Sequence, residues 1–374
     1  MPFAEELIGA RTVQELTAAL RVVLPDAELP AVRAAGPALP PLALRERSDL
    51  LRDALLADLP DGYDEFADVV RAAARRAPTF TGWLIWPVTA AVAARAIRDD
   101  AAAAFDDAVA LLAELTDRLS SEFALRSLLN HDLDRALAVI SGWTRSENEG
   151  VRRLASEGTR PYLPWAVRVP RLLSEPSSTL PILGELYRDD SDYVRRSVAN
   201  HLNDLSRVDP DLVTSTAAKW LAEPDANTPR LVRHGLRTLV KRGHPEALRL
   251  LGFPPVRVEV TGPELAADEV AIGAALTFTA SVHNPEPEPA RLVIDYLVHH
   301  RKADGSRTAK TFKLTTRTVA PGETVELTRA HPFRVLTTRR YHPGLHGIEL
   351  QVNGVRSGRA EFTLLPAAEP VDAG

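Results

Sequence analysis

The sequence predicts a multidomain chain, α then β. A HEAT-like α-helical repeat solenoid occupies residues 1–252, and an immunoglobulin-like β-sandwich occupies 256–366. Three observations predict this. Apolar residues recur at helical spacing up to about Leu251. The period changes to two after a short Pro-bearing linker. Within the helical part, a Val-Arg pair returns at intervals close to a known repeat length.

The helical part is built from runs such as Asp106 to Leu119, whose apolar residues follow the i, i+3, i+4, i+7 pattern of one helix face. Polar or Pro-bearing breaks separate the runs, as at Leu59-Pro60-Asp61-Gly62 and from Pro224 to Pro229. Gly150-Val151-Arg152-Arg153, Tyr193-Val194-Arg195-Arg196 and Leu231-Val232-Arg233-His234 each open a helix after a polar stretch. Their valines are 43 and 38 residues apart. HEAT units recur at roughly 40–47 residues as helical hairpins stacked into a curved solenoid. The second helices of successive hairpins line its concave face. The repeated valine is expected to pack between layers, and Arg152, Arg195 and Arg233 to tie repeats together rather than to bind phosphate.

Past Gly252-Phe253-Pro254-Pro255, Val256–Val260, Leu276–Val282, Leu292–Val298 and His346–Val352 alternate with period two. Turn signals stand between them at Asn284-Pro285, Asp304-Gly305, Pro321-Gly322 and Asn353-Gly354. About seven short strands in this length predict the sandwich.

The chain has 374 residues, no cysteine and a formal net charge of −5. Disulfides, thiolate metal sites and a Cys nucleophile are excluded together. The start, MPFAEELIGA, lacks the basic and apolar regions of a signal peptide, and no uncharged apolar run approaches the ~20 residues of a membrane span. A cytoplasmic protein is expected. Its charge is unevenly placed. Residues 1–120 carry 12 Lys and Arg against 19 Asp and Glu, residues 151–250 carry 16 against 12, and residues 291–346 carry 11 against 4. Phosphate attraction depends on the local field of a face, so two basic segments are compatible with DNA lying across them.

Three stretches resemble the AlkC-type DNA alkylation repair glycosylases, members of the AlkC/AlkD HEAT-like-repeat superfamily. They are Phe80 to Pro87, Ala155 to Ala166, and Ser197 to Arg207 followed by Asp209-Pro210. The resemblance covers the helical part and extends to an immunoglobulin-like C-terminal domain. It implies excision of 3-methyladenine, and also of 3-methylcytosine, from double-stranded DNA without rotating the damaged base into a pocket. An abasic site is left, and the location is nucleoid-associated.

The chemistry makes its own demand. A base alkylated at N3 is cationic and leaves neutral, so no leaving-group acid is needed. An oxocarbenium-like sugar must be stabilised and a water positioned, which calls for carboxylates and an aromatic face. Asp204, in an otherwise apolar helix, Glu157, at a helix end where the macrodipole disfavours it, and Glu122, at a helix start, are the candidate catalytic residues. Each also has a structural reading, as a cap or an ion-pair partner. Trp165, in the loop after Arg160-Pro161, is the candidate for contact with lesion or sugar, or else a seal against the next repeat. Trp83 and Trp86 read as core. DNA-binding candidates are Arg160 and, in the sandwich, Arg301, Lys302, Arg307, Arg339 and Arg340, against the alternative of a solvated surface.

No phosphate loop, HExxH helix or GxSxG elbow is present. The histidines show no metal spacing, and no lysine stands in the motifs to form a Schiff base. No metal, no cofactor, a monomer and simple hydrolysis are therefore expected. The alternative is a non-catalytic HEAT scaffold that binds nucleic acid or protein. A scaffold has no reason to gather Glu122, Glu157, Asp204 and Trp165 on one concavity.

Overall fold

The computed structural model describes residues 4–335 and 340–367. Two compact units are formed, Met1–Val213 with Lys219–Gly235, and Thr214–Ala218 with Leu236–Gly374.

The first unit is helical. Leu44–Asp58, Ile85–Asp99, Glu122–His131, Glu149–Glu157, Asp192–Leu205 and Thr228–Gly235 form one row. Helices such as Tyr63–Arg76, Ala102–Leu115 and Leu180–Leu186 pack behind it. The period-3.6 stripes meet between these layers, burying Leu51, Phe66, Val92, Leu112, Leu125, Leu154 and Leu202. Val151, Val194 and Val232 are all buried. The repeat register therefore has a packing cause. The expected tie between repeats is seen at Arg152, whereas Arg195 binds the loop before its own helix. Arg152 binds Asp189 at 2.6 and 3.0 Å and the carbonyls of Ser146 and Glu147. Arg195 donates to the carbonyls of Asp189 and Asp190 at 2.6 and 2.8 Å. Arg233 is exposed. Trp86 is buried and stacks on Phe123 at 4.6 Å.

The second unit is a two-sheet sandwich. Its strands are β1 (Glu259–Leu265), β2 (Glu269–Ala271), β3 (Ala275–His283), β4 (Ala290–Arg301), β5 (Arg307–Val319), β6 (Thr324–Pro332), β7 (Gly344–Val352) and β8 (Val355–Leu365). The sheets run β1-β3-β6 and β2-β8-β7-β4-β5. The pairs are antiparallel except β2 with β8. Phe278, Tyr296, Phe333, Ile348 and Phe362 fill the space between them. Each of the four turn signals lies between two strands.

The change from helix to strand falls between Leu250 and Glu259, yet the compact units divide earlier, near Gly235. The reason is packing. The short helices Arg237–Lys241 and Pro245–Leu250 lie against the sandwich. The Lys241 carbonyl accepts from Thr311 at 3.1 Å, and Gly243 meets Gly354 backbone to backbone. Both glycines have positive φ, and a Cβ on either would come within 2.7 Å of the other's carbonyl oxygen.

Candidate active site

The three candidate carboxylates lie on consecutive helices of the row. Glu122 is the first residue of Glu122–His131, Glu157 the last of Glu149–Glu157, and Asp204 lies in the last turn of Asp192–Leu205. Two arginines link them into one run. Arg153 Nη1 donates to Glu122 Oε2 at 2.7 Å, and its other terminal nitrogen is 3.7 Å from Glu157. Arg160 Nη1 donates to Glu157 Oε1 at 2.6 Å, while its Nε donates to Asp204 Oδ2 at 2.9 Å. Ser120 and Ser197 donate to Glu122 and Glu157 respectively, each at 2.7 Å.

Glu157 and Asp204 are buried. A carboxylate removed from water persists only with charged and hydrogen-bonded partners, which Arg160, Arg153 and Ser197 provide. Burial works against the arginine charges. The carboxylates more than offset it, Glu157 and Asp204 at Arg160 and Glu122 and Glu157 at Arg153, so both guanidinia are held above their ordinary value. Behind the run, His201 is fully buried and burial pushes it down to about 3. It is therefore neutral. Its Nδ1 lies 2.9 Å from the Ser156 carbonyl and its Nε2 3.1 Å from the Thr179 hydroxyl. The carbonyl can only accept, so the proton sits on Nδ1.

Trp165 is 66% exposed and has a φ of +61°, a left-handed conformation that is costly for a bulky residue. Its loop is held from beneath by Arg126, which is fully buried. Arg126 donates to the carbonyls of Gly158, Arg160 and Val167 at 2.8–3.0 Å, and has no carboxylate within ion-pair distance among the described residues. Burial lowers it to about 10, with Arg168 and Arg160 acting in the same direction, so it remains a cation at neutral pH. Nearby, the guanidinia of Arg168 and Arg207 each lie 4.9 Å from the Tyr162 ring.

Of the DNA-binding candidates, Arg160 is only 8% exposed and is bound to Glu157 and Asp204. Of the sandwich candidates, Arg301 donates to the Pro343 carbonyl and Arg307 pairs with Glu361 at 2.7 Å. Lys302 and Arg340 are exposed, and Arg339 lies outside the described residues. These residues belong to the second compact unit and the carboxylates to the first.

Several participants escaped the sequence reading: Arg153, Ser197, Arg126 and Tyr193, whose ring lies 4.8 Å from the Arg153 guanidinium. A signal for one was present. Arg153 is the second arginine of its Val-Arg-Arg unit, a position about 100° around the helix from the first. Among the described residues, no helix is long and apolar enough to cross a membrane, and no group of three or more His, Asp or Glu forms a metal site.

A model of the DNA alkylation repair enzyme family matches residues 110–239, which hold the whole carboxylate run. A second, described as the C-terminal Ig-like domain of the uncharacterised protein YhaZ, matches 259–366. The chain is 34% identical over 324 residues to the uncharacterized protein YhaZ of Bacillus subtilis (strain 168), covering 86% of this chain and 88% of that protein. Among solved structures it is similar to the Pseudomonas fluorescens alkylpurine DNA glycosylase AlkC bound to DNA containing an abasic site analog. The TM-score is 0.84 at 33% identity, covering 97% of this chain and 99% of that one. The chain belongs to the AlkC-type family of DNA alkylation repair glycosylases and carries an immunoglobulin-like C-terminal domain.

Proposed function

We propose that this protein hydrolyses the N-glycosidic bond of cationic alkylated bases in duplex DNA, 3-methyladenine and 3-methylcytosine among them. An abasic site is left. The observation that carries the reading is the run Glu122–Arg153–Glu157–Arg160–Asp204, which holds three carboxylates side by side on one helix row. The C1′–N bond breaks with its electron pair going to the base, which departs neutral. Positive charge then develops on the sugar, where Asp204 and Glu157 oppose it. Water adds to C1′ and gives its proton to a carboxylate. Arg160 and Arg153 hold the three acids in place before substrate arrives. Trp165 supplies an aromatic face for the cation or the deoxyribose. The run contains no lysine, which supports hydrolysis without strand cleavage. In line with the AlkC-type resemblance, the base is attacked while it remains in the helix.

The test is release of bases from N-methylated duplex DNA. Asp204→Asn is expected to lower single-turnover release on the order of 10²-fold while DNA binding survives. Uracil and 8-oxoguanine, which are neutral, are expected to stay in place. Unchanged release by the variant would remove Asp204 from the chemistry, and efficient uracil release would contradict the mechanism.

A further inference from the structure

Beyond the carboxylate run, a cavity of about 190 Å³ lies between the helices Asp192–Leu205 and Thr228–Gly235. Asp192, Arg195, Arg196, Asn227, Arg230 and His234 line it. At about 30 Å³ per water it has room for several waters or one phosphate group. We propose that this cavity binds a phosphate of the DNA backbone, held by Arg196 and Arg230 with His234 at its wall. The assignment rests on the glycosylase reading, which supplies the phosphate.

The repeat itself places the site. Arg153, Arg196 and His234 occupy the same position in the three Val-Arg units. In the first unit that position reaches Glu122 and Glu157. In the next two it lines the cavity. The cavity therefore continues the face on which the carboxylates stand. Ser197, which donates to Glu157, is the immediate neighbour of Arg196. Eight residues of helix separate Arg196 from Asp204, a rise of about 12 Å. A phosphate bound here thus lies within a few nucleotides of the reacting sugar, at about 3.4 Å of axial rise per nucleotide.

The two guanidinia are available in a way Arg195 is not. Arg196 is 60% exposed and Arg230 81% exposed. Neither side chain makes a hydrogen bond among the described residues. Their charges meet Asp192 only at 3.4 and 3.9 Å. Those separations orient the two forks without saturating them. The lining starts at the N-terminal ends of the two helices, with Asp192 and Asn227, and runs on to Ala199 and His234. Asp192 is the single opposing charge on its wall, so the site has a net positive balance and a built-in test of sign.

The experiment measures binding of the full chain to a fluorescent duplex with an abasic-site analogue, over a salt series. Arg196→Ser with Arg230→Ser is expected to weaken binding about tenfold, and to make the slope of log affinity on log salt shallower by about 0.9. Arg230→Gln alone, at the most exposed position, is expected to reproduce part of both effects without touching the fold. Asp192→Asn is expected to tighten binding about two- to threefold, on the order expected for removing one screened charge. A duplex with one neutral methylphosphonate near the lesion is expected to bind wild type more weakly but the double variant equally. Wild-type affinity and slope in the double variant, or weaker binding by Asp192→Asn, would overturn the site. Failure of the wild type to release alkylated bases would instead overturn the glycosylase reading, and the binding series is independent of that result.

Discussion

Arg160 donates from Nε to Asp204 across 44 positions of sequence, at 2.9 Å, while its Nη1 holds Glu157. One guanidinium therefore stands between two buried acids from neighbouring repeats. Arg160→Met would leave both without their partner. Removing one member of a buried ionic group costs about 3–5 kcal/mol. Chemical denaturation is expected to show a loss of that size, and Asp204→Asn added to Arg160→Met is expected to recover part of it. Additive effects would mean that the pair is not coupled.

Arg126 holds the Trp165 loop through three carbonyls. In Arg126→Gln those acceptors lose a fork that an amide cannot span. Each unmet buried acceptor costs about 1–3 kcal/mol. Quenching of Trp165 by acrylamide, isolated by comparison with a Trp165→Phe background, is expected to rise in the Arg126 variant, and single-turnover release to fall. An unaltered quenching profile would separate Arg126 from the loop's conformation.

For the sandwich, the pairing of each basic residue ranks its effect on DNA affinity. Lys302 and Arg340 are exposed, whereas Arg307 is already committed to Glu361. Serine at Lys302 or Arg340 is expected to lower the salt slope by about 0.9 for each phosphate no longer neutralised. Arg307→Ser is expected to change it less. Equal, null effects at all three positions would mark this surface as merely solvated.

Asp295 lies buried in the five-stranded sheet opposite Lys313. Burial raises its carboxyl to about 6, against the pull of Lys313, Gln351 and Lys241. The folded chain thus binds this proton more tightly than the unfolded one. The stabilising effect of the proton is complete below about pH 4 and is lost as pH rises through about 6. Asp295→Asn should therefore stabilise the sandwich relative to wild type more at about pH 7.5 than at about pH 5, by urea midpoint. A difference independent of pH would rule out the shift.

The candidate acids were legible because their surroundings were unusual for their place. Asp204 interrupts apolar helix residues and Glu157 stands at the wrong end of a helix dipole. What resolves the second anomaly is Arg160, three residues on but turned inward, which had read as a phosphate contact. Arg153 was missed beside Arg152 because both belong to the same motif. Only the angle of about 100° between them around one helix separates a loop tie from a partner of the candidate acids.

Sequence alone determined the α-then-β order, the repeat register and the turns, since each depends on residues within a few positions of one another. The periods 3.6 and 2 record which face is buried, and Gly, Pro and Asn record where the backbone must bend. Tertiary structure alone decided the charge pairing. Glu122 meets Arg153 over 31 positions and Arg160 meets Asp204 over 44, distances set by how far one repeat is offset from the next. It also decided that the helices from Arg237 to Leu250 pack with the strands after them, because Gly243 and Gly354 allow two backbones to touch. Local pattern specifies a burial face. The partner that covers it is chosen by stacking, which no short stretch of sequence contains.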